Sequence, residues 1–342
     1  MASCVAGLRM VRAIAVGLGV LALSAPVPAS AAGTRTRFAV IATTQGREPD
    51  TTENFVRLYE QRRAQFGAPI GIRVFAGGRL PLPEPDSVNG RILLWAARQH
   101  PEESITVSHK IRDDARLRTF LDWVLAQRLR VSVIYFHEVQ DDWFADADEQ
   151  IPGAEPETYK ATYRAYRAVI NDHPAASRVT LEKNLTWYWQ HYRAATEGGD
   201  WHRYVEAGDP ADVLSWDTYV FPGVPKRVHH YSTPDDFFRY ARDAWRQYRI
   251  AWGVGEIGTA VQDGEGPGVD RAWDPTGTIF ADWVRRITDA AGNPARIASS
   301  YAGMPPARFM KWWQGPDGND VDLSLDQNAA ATAVYRARVL AS

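Results

Sequence analysis

Short apolar runs alternate with amphipathic segments from residue 37 to the end of the chain. Runs of Val, Ile and aromatic residues bounded by polar or Gly-rich stretches are typical of buried strands in a parallel sheet. Such runs lie at 37–43, 71–77, 104–110, 131–138 and 251–258, and two further runs lie within 178–189 and 211–221. The pattern predicts an eighth strand at 307–313, while 296–303 is the competing choice and is favoured as a helix or crossover.

The segments between these runs have the periodicity and the end signals of helices. Thr51 and Thr233 are suited to cap helix N-termini, and Gly67 and Gly292 are suited to end helices. Eight strand–helix units over roughly three hundred residues indicate an α/β fold, a single-domain (β/α)8 TIM barrel over 33–342. An open doubly wound sheet is the alternative, but the stretch 43–50 lacks the Gly-rich phosphate turn of such sheets.

Residues 1–32 have the pattern of a secretory signal peptide. Arg9 and Arg12 precede an apolar run at 13–23, and Ala29-Ser30-Ala31 provides small residues for cleavage. The apolar run is short for a stable membrane span, so an uncleaved anchor is the less favoured alternative. We therefore expect a secreted, extracellular protein with no membrane contact after signal cleavage. The single cysteine, Cys4, lies in this segment, so the mature chain is expected to have no thiol or disulfide chemistry.

Composition and charge narrow the range of functions. The 342 residues carry a formal net charge of −2, so no basic field favours nucleic acid. The first predicted strand has no histidine and His229-His230 falls in a predicted loop, which argues against a metal-dependent hydrolase. We expect no cofactor, no metal and a monomer. The 13 Trp and 14 Tyr are numerous enough to leave aromatic side chains for a binding cleft.

Two predicted strands end in a glutamate, Glu138 in VSVIYFHE and Glu256 in AWGVGEIG. TIM barrels place their chemistry at the C-terminal ends of the strands, so both carboxylates are expected at one site. Retaining glycoside hydrolysis needs two such groups about 5 Å apart. We predict Glu138 as the acid/base, its pKa raised by apolar neighbours such as Tyr135 and Phe136, and Glu256 as the nucleophile. The alternative is that either glutamate is only a solvent-exposed strand end.

The order of these motifs resembles the clan of retaining glycoside hydrolases built on (β/α)8 barrels, with a fourth-strand acid/base and a seventh-strand nucleophile. Many members of this clan have Asn directly before the acid/base. Here that residue is His137, and a His-Glu pair at this point resembles glycoside hydrolase family 26, the β-mannanase family. The segments Asp217-Thr218-Tyr219, Glu256-Ile257-Gly258 and 312–335 also resemble that family. The resemblance spans about residues 37–340, and it implies a substrate that is a β-linked polysaccharide or oligosaccharide, of β-mannan type or related.

The resemblance also implies roles for neighbouring residues. His137 would contact the sugar or orient Glu138, Asp217 would belong to the substrate site, and Tyr219 would donate a hydrogen bond to Glu256. For His137 and Tyr219 the alternative is a structural role in the core. Arg73 lies in the second predicted strand, and it is expected to pair with Glu256 because a charge inside a barrel needs a partner.

Tryptophans near the predicted strand ends are candidate sugar platforms. Trp312 and Trp313 end the eighth strand, and Trp143 follows Glu138. Successive residues of a strand face opposite ways, so only one of Trp312 and Trp313 is expected to face the cleft. Packing in the core is the alternative for each of the three.

The chain departs from the family in two places. Ile257 stands where the family usually has Phe, and the loop after Glu138 is acidic rather than rich in aromatic residues. A cation site in that loop is conceivable. A solvated loop is favoured, because the spacing of the acidic residues matches no known calcium loop; they are Asp141, Asp142, Asp146, Asp148 and Glu149. The departures bear on specificity for mannan more than on the chemistry.

Other enzyme classes lack their motifs here. A serine hydrolase on this fold class would need a G-x-S-x-G elbow, and the sequence contains none. A secreted carbohydrate-binding barrel that has lost catalysis remains open as an alternative. The retention of both Glu138 and Glu256 favours the enzyme.

Overall fold

The computed structural model describes residues 35–43, 50–144, 151–193, 199–220, 231–259, 261–262, 269–270, 274–315 and 323–342. Its strands are β1 (Arg37–Ala42), β2 (Ile70–Arg79), β3 (Ile105–Ile111), β4 (Val131–Tyr135), β5 (Val179–Thr186), β6 (Val213–Val220), β7 (Ala251–Thr259), β8 (Val261–Gln262), β9 (Val269–Asp270) and β10 (Phe309–Trp312). Its α-helices are α1 (Thr52–Phe66), α2 (Val88–Gln99), α3 (Asp114–Gln127), α4 (Val139–Phe144), α5 (Pro156–Asn171), α6 (Trp187–Arg193), α7 (Pro234–Tyr248), α8 (Thr278–Gly292) and α9 (Ala329–Ala341).

Eight of these strands close into a parallel barrel in the order β1-β10-β7-β6-β5-β4-β3-β2. The short strands β8 and β9 pair with each other outside it. The predicted α/β fold, a single-domain (β/α)8 TIM barrel, is therefore confirmed. The eighth strand of the barrel is β10, inside the predicted 307–313, and the competing segment 296–303 contains short 3-10 turns instead.

Helix ends follow the polar residues that the sequence places there. The side chains of Thr51, Ser87, Asp113 and Thr233 each accept a backbone N–H of the first helical turn. Such caps satisfy donors that have no partner inside the helix, each contributing about 1 kcal/mol. The caps fix where each helix begins and so set the length of the preceding strand–helix connection.

The interior of the barrel is polar for much of its length. Inward side chains of TIM barrels are usually branched and apolar. Here Lys311 of β10 lies 3.0 Å from Thr106 Oγ1 of β3 and 3.7 Å from Glu182 of β5, across the barrel. Ser215 donates to Glu182 at 2.6 Å, and Asn184 donates to Ser215 at 3.1 Å. This polar column runs between β5 and β6 towards the C-terminal ends of the strands.

Tyrosines of the helix layer hold adjacent strands together from outside. The Tyr163 hydroxyl lies 2.9 Å from the Tyr135 carbonyl and 2.8 Å from that of Glu182, so it spans β4 and β5. Tyr335 of α9 makes the same contacts with Ala39 and Met310 at 3.0 and 2.8 Å, so it spans β1 and β10.

The seam between β1 and β10 brings the two ends of the described barrel together. Ser342 Oγ donates to the Phe38 carbonyl at 3.5 Å, and Thr36 Oγ1 donates to the Ala291 carbonyl at 3.0 Å. These contacts lie at the N-terminal ends of the strands, away from the barrel mouth. Among the helices described, none is both long enough and apolar enough to cross a membrane.

Candidate active site

Glu256 lies inside β7, where the strand carries one extra residue. Trp216 of β6 pairs with Val254, and the next residue, Asp217, pairs with Glu256, so Gly255 is the extra residue. Such a bulge re-aims the side chains beside it and is frequent next to active sites. A Cβ at Gly255 would lie 2.5 Å from Asp217 Oδ1 and 2.7 Å from Asn184 Nδ2. Only glycine lets β7 approach these groups so closely.

Two buried donors hold the Glu256 carboxylate. Arg73 Nη1 lies 2.5 Å from Glu256 Oε1, and the Tyr219 hydroxyl donates to Oε2. Arg73 is 2% exposed and Glu256 is 5% exposed. Burial opposes the charge of Arg73, but the carboxylates of Glu256 and Asp217 outweigh that effect and raise the pKa of its guanidinium. The predicted Arg73–Glu256 and Tyr219–Glu256 contacts are both present in the structure.

Asp217 lies beside Arg73, the cation that pairs with Glu256. Its Oδ1 accepts from Asn184 Nδ2 at 2.8 Å, and its Oδ2 lies 3.8 Å from Arg73. Burial, and then the charge of Glu256, raise the pKa of Asp217 well above its usual value, although Arg73 and Asn184 oppose this. Asp217 therefore holds a proton more readily than an ordinary carboxyl group, which lowers the negative charge beside Glu256.

Glu138 lies in a tight turn rather than at the last position of a strand. The sequence predicted a strand through Glu138, but β4 ends at Tyr135. Phe136 and Glu138 have φ values of 55° and 52°, in the left-handed region that non-glycine residues seldom adopt. The Phe136 N–H donates to the His109 carbonyl at 2.7 Å, and the Asp141 N–H donates to the Glu138 carbonyl at 2.8 Å. Such strained residues cluster at active sites.

The environment of Glu138 favours its protonated form. Burial raises the pKa of this carboxyl group well above its usual value. The negative charges of Asp141, Asp217 and Glu256 act in the same direction, and Arg73 opposes them. Because the charge of Glu256 is among those that raise the pKa of Glu138, the two carboxyl groups lie within electrostatic range of each other. One is held as an acid and the other is paired with a cation.

His137, between the strand end and Glu138, is held as a neutral ring. Burial, and then the positive charges of Arg73 and Lys110, lower its pKa well below the usual value. Its ring packs edge-on against Phe75 at 5.2 Å. Its Nδ1 is buried and has no hydrogen-bond partner among the residues that the structure describes. A buried polar atom of this kind is available to a ligand.

The tryptophans predicted as platforms occupy three different environments. Trp312 is fully buried in the helix layer, where Nε1 donates to the Leu323 carbonyl at 3.0 Å and the ring packs on Tyr335. Trp313 packs at 5.9 Å from Phe75, which is on the inner side of β2 with Arg73. Trp143 is partly buried on α4 and packs against the main core. Of Trp312 and Trp313, Trp313 is therefore the one near the barrel mouth.

Several residues at the site escaped the sequence predictions. Gln140, just after Glu138, accepts from the Thr186 N–H at 2.8 Å and so ties α4 to the end of β5. Lys110 of β3 pairs with both oxygens of Asp142 at 2.6–2.7 Å. Asn184 was missed although it lies on an inward position of β5. A sequence signal for Asn184 was present: it is a polar residue in a predicted buried strand, two positions after Glu182 and so on the same face.

A metal site finds no support in the described part of the chain. There, no group of three or more His, Cys, Asp or Glu side chains could hold an ion. Of the acidic residues after Glu138, Asp141 and Asp142 are described, and Asp142 is already paired with Lys110. Asp146, Asp148 and Glu149 lie outside the described residues.

No protein-family model matches this chain, and no curated protein is significantly similar to it. An endo-β-1,4-mannanase double mutant from Cellulomonas fimi is 16% identical over 89% of this chain and 70% of its own, with a TM-score of 0.50. The catalytic domain of a GH26 endo-β-1,4-mannanase from Bacillus sp. JAMB-750 is 12% identical over 90% and 86%, with a TM-score of 0.52. Virulence factor SghA from Agrobacterium tumefaciens is 12% identical over 90% and 97%, with a TM-score of 0.53. The resemblance to family 26 mannanases and related glycoside hydrolases is therefore confirmed at the level of the fold.

Proposed function

We propose that this protein is a retaining glycoside hydrolase, with Glu138 as acid/base and Glu256 as nucleophile. The observation that carries the proposal is the contrast between the two carboxyl groups. Burial and neighbouring charges favour the proton on Glu138, whereas Arg73 and Tyr219 hold Glu256. Pairs of carboxyl groups whose environments differ in this way are the basis of acid and nucleophile assignments.

The first chemical step uses both groups at once. The Glu256 carboxylate attacks the anomeric carbon and forms a C–O bond, while the glycosidic C–O bond breaks. The leaving oxygen takes the proton of Glu138, so the leaving group departs as a neutral alcohol. In the second step, the Glu138 carboxylate takes a proton from water, whose oxygen displaces Glu256 from the sugar. The cycle restores both groups and retains the anomeric configuration.

The residues around Glu256 stabilise its carboxylate during this cycle. The Arg73 guanidinium offsets the charge of the attacking carboxylate without moving, because it is fixed inside the barrel. Burial, and then the charge of Glu256, raise the pKa of Tyr219, so its hydroxyl remains a donor across the working range. Asn184 donates to Asp217 at 2.8 Å, and Asp217 Oδ2 in turn lies 3.8 Å from Arg73.

The substrate class follows from the site and from the neighbours in fold. His137 is neutral, its Nδ1 has no partner within the described part of the chain, and the Phe75 ring packs beside it; these groups suit a sugar. The similar structures include endo-β-1,4-mannanases. We therefore propose a β-linked polysaccharide or oligosaccharide, of β-mannan type or a related β-glycan, as the substrate.

We also propose export through the segment 1–32, which lies outside the described residues. Expression of the full chain in a bacterium with a secretory pathway, followed by N-terminal sequencing of the extracellular product, tests it. A product that begins near residue 33 supports export. Retention of an intact N-terminus in the cell contradicts it.

The experiment that tests the activity is a screen of residues 33–342 on mannan, glucomannan, xylan and mixed-linkage glucan. Glu138→Ala and Glu256→Ala are measured beside the wild type, and Glu206→Ala, which breaks a surface pair with Arg164, serves as the control. Hydrolysis that either catalytic substitution abolishes and the control retains supports the proposal. Binding of a β-glycan without hydrolysis would favour the carbohydrate-binding alternative, and hydrolysis unaffected by both substitutions would exclude these roles.

A further inference from the structure

A cavity of about 260 Å³ is lined by Arg73, which pairs with Glu256, and by His137, which precedes Glu138. Its walls come from the C-terminal ends of β1, β2, β3 and β4 and from the first turns of α2. The residues that matter for its chemistry are Asp50, Arg73, Phe75, Asn89, Ile92, Lys110 and His137. The proposed function uses only Arg73, Phe75 and His137.

Two residues of the cavity wall are direct neighbours of the proposed catalytic glutamates. Arg73 lines the cavity and lies 2.5 Å from the Glu256 carboxylate. His137 also lines it and directly precedes Glu138 in the turn. A sugar attached to Glu256 would therefore have this cavity next to it, on the side of β2 and β3, across the barrel from β6 and β7.

The lining suits a sugar ring rather than an apolar ligand. Lys110 and Asn89 offer donors, Asp50 offers a carboxylate, and Phe75 offers a ring against which C–H groups can pack. The Lys110 ammonium is fixed by its pair with Asp142, so it does not bring a free charge that would demand an anionic sugar. A neutral pyranose with several hydroxyl groups fits this chemistry.

The far wall of the cavity is the beginning of α2. Asn89 Nδ2 donates to the Phe75 carbonyl at 2.8 Å, which fixes this turn against the end of β2. Ile92, one helical turn later, is 2% exposed and is part of the main core. The volume is below the roughly 300–1,000 Å³ of pockets that hold drug-sized ligands, and so suits one or two sugar rings rather than a chain.

We propose that this cavity holds the non-reducing terminal sugar of the substrate, so that the protein attacks β-glycans from the chain end. The inference rests on the proposed glycosidase function and adds its mode of action. A terminal sugar would lie between Phe75 and the first turn of α2, with its hydroxyl groups on Asn89, Lys110 and Asp50. The bond to be cleaved would then lie one or two sugars away, at Glu138 and Glu256.

Two adjacent glycines offer a matched test. A Cβ at Gly77, which lines the cavity, or at Gly78, which does not, would meet no heavy atom within 4 Å. Both positions belong to β2, and aromatic residues are well tolerated in strands. Gly77→Tyr should therefore fill the cavity while the barrel folds, and Gly78→Tyr places the same side chain at the next position, which does not line the cavity. We expect hydrolysis to fall at least tenfold in Gly77→Tyr and to stay within twofold in Gly78→Tyr.

The substrates for this test are β-1,4-linked hexaoses of mannose, glucose and xylose with a fluorophore at the reducing end. A second set carries a methyl ether on O4 of the non-reducing sugar. End attack predicts that labelled products one or two sugars shorter appear first, and that the methyl ether slows hydrolysis at least tenfold. Labelled products from the middle of the chain, equal rates for the two sets, or an unaffected Gly77→Tyr would overturn the inference.

Failure of the proposed function gives a different result. If wild-type protein hydrolyses none of these substrates or polysaccharides, the glycosidase proposal fails. Calorimetric binding of the same hexaoses then tests the cavity by itself. Binding of the free-ended hexaose that is lost with the methyl ether or in Gly77→Tyr supports recognition of the terminal sugar. Equal binding of both forms, or no binding of either, overturns it.

Discussion

Glu138 and Glu256 are the same residue type near the C-terminal ends of two barrel strands, but their surroundings differ. Glu256 is held inside a bulged strand by Arg73 and Tyr219. Glu138 lies in a left-handed turn, where burial and three nearby carboxyl groups raise its pKa. The comparison teaches that the backbone, through one extra residue in β7 and an early end of β4, sets which neighbours each carboxyl group meets.

The largest expected effect is the loss of kcat/KM when either glutamate is replaced, and its dependence on the leaving group distinguishes the two roles. Glu256→Gln should lower kcat/KM by about 10⁴-fold or more for every substrate, because it removes the group that forms the bond. Glu138→Gln should cost about 10²–10⁴-fold for sugar leaving groups, which need a proton, and far less for dinitrophenyl glycosides. Kinetics on both substrate types measures this difference.

Rescue of activity by azide tests the same two variants independently. Glu138→Gln should be rescued by azide, with a glycosyl azide of retained configuration as the product. Rescue of Glu256→Gln with that configuration instead would exchange the two roles.

Removal of Arg73 is the second largest change and tests what holds Glu256. Arg73→Met keeps an unbranched apolar side chain at this position but removes the cation beside Glu256 and Asp217, so the free energy of unfolding should fall by about 3–5 kcal/mol. Denaturant unfolding measures it. The double variant Arg73→Met/Glu256→Gln should be more stable than Arg73→Met alone, because the uncompensated charge is gone. Arg164→Met, which breaks a surface pair with Glu206, should leave the unfolding midpoint nearly unchanged.

Tyr219→Phe removes one hydrogen bond from Glu256 and leaves the ring in place. A hydrogen bond to a charged group contributes about 1.5–3 kcal/mol, so kcat should fall by about 10- to 100-fold. Single-turnover kinetics on an aryl glycoside isolates the step in which Glu256 attacks. An unchanged rate would mean that Arg73 alone holds the carboxylate. Tyr188→Phe, on the exposed face of α6, is the matched control.

The raised pKa of Glu138 predicts the basic limb of the pH profile. The proton is present below this pKa and is lost as the pH rises through it, so kcat/KM should fall on the alkaline side. In Glu138→Gln, measured on dinitrophenyl glycosides, the limb should disappear because the group no longer titrates. A basic limb that persists unchanged in that variant would assign it to another residue.

The smallest expected effect concerns Arg128, a residue with a left-handed backbone conformation that lies outside the proposed catalytic turn. Arg128 ends α3 with φ of 57°, much like Phe136 and Glu138. Arg128→Gly should raise the free energy of unfolding by about 0.5–1 kcal/mol, because glycine adopts this conformation without strain, and should leave activity unchanged. Thermal unfolding and the aryl glycoside assay check both. A loss of activity would show that the strain in α3 is coupled to the site.

The alternation of apolar and polar residues predicted the barrel well and the strand ends poorly. The run VSVIYFHE has the composition of a strand throughout, so the pattern gave no sign that β4 ends at Tyr135. The positive φ of Phe136 and Glu138 is imposed by backbone contacts such as the one with His109. Such contacts depend on the neighbouring strand and are invisible in a local window of sequence.

The segment Trp187-Tyr188-Trp189 shows the same limit for helices. The pattern predicted a strand within 178–189 without giving its end, and in the structure β5 ends at Thr186 and α6 begins at once. Gln140 contacts this boundary by accepting the Thr186 N–H, and the two residues are far apart in sequence. The sequence pattern left open a boundary at which the structure has a tertiary contact.

Site residues were predictable where a charge needed a partner. Arg73 was expected to meet a carboxylate because an unpaired charge inside a barrel is costly, and it lies beside Glu256. The partners of Asp217, Glu182 and Lys311 were not predictable, because they depend on which strands face each other across the barrel. Closure of the sheet, rather than sequence separation, sets those pairs.

The seam where Ser342 meets Phe38 has a practical consequence for engineering. Because Arg35 and Ser342 lie near each other behind the barrel, a short linker between them would give a circular permutant of the described domain. New ends in the connection between α3 and β4 would also lie behind the barrel, since α3 leads into the start of a strand. A reporter fused there would leave the barrel mouth open to a polymer.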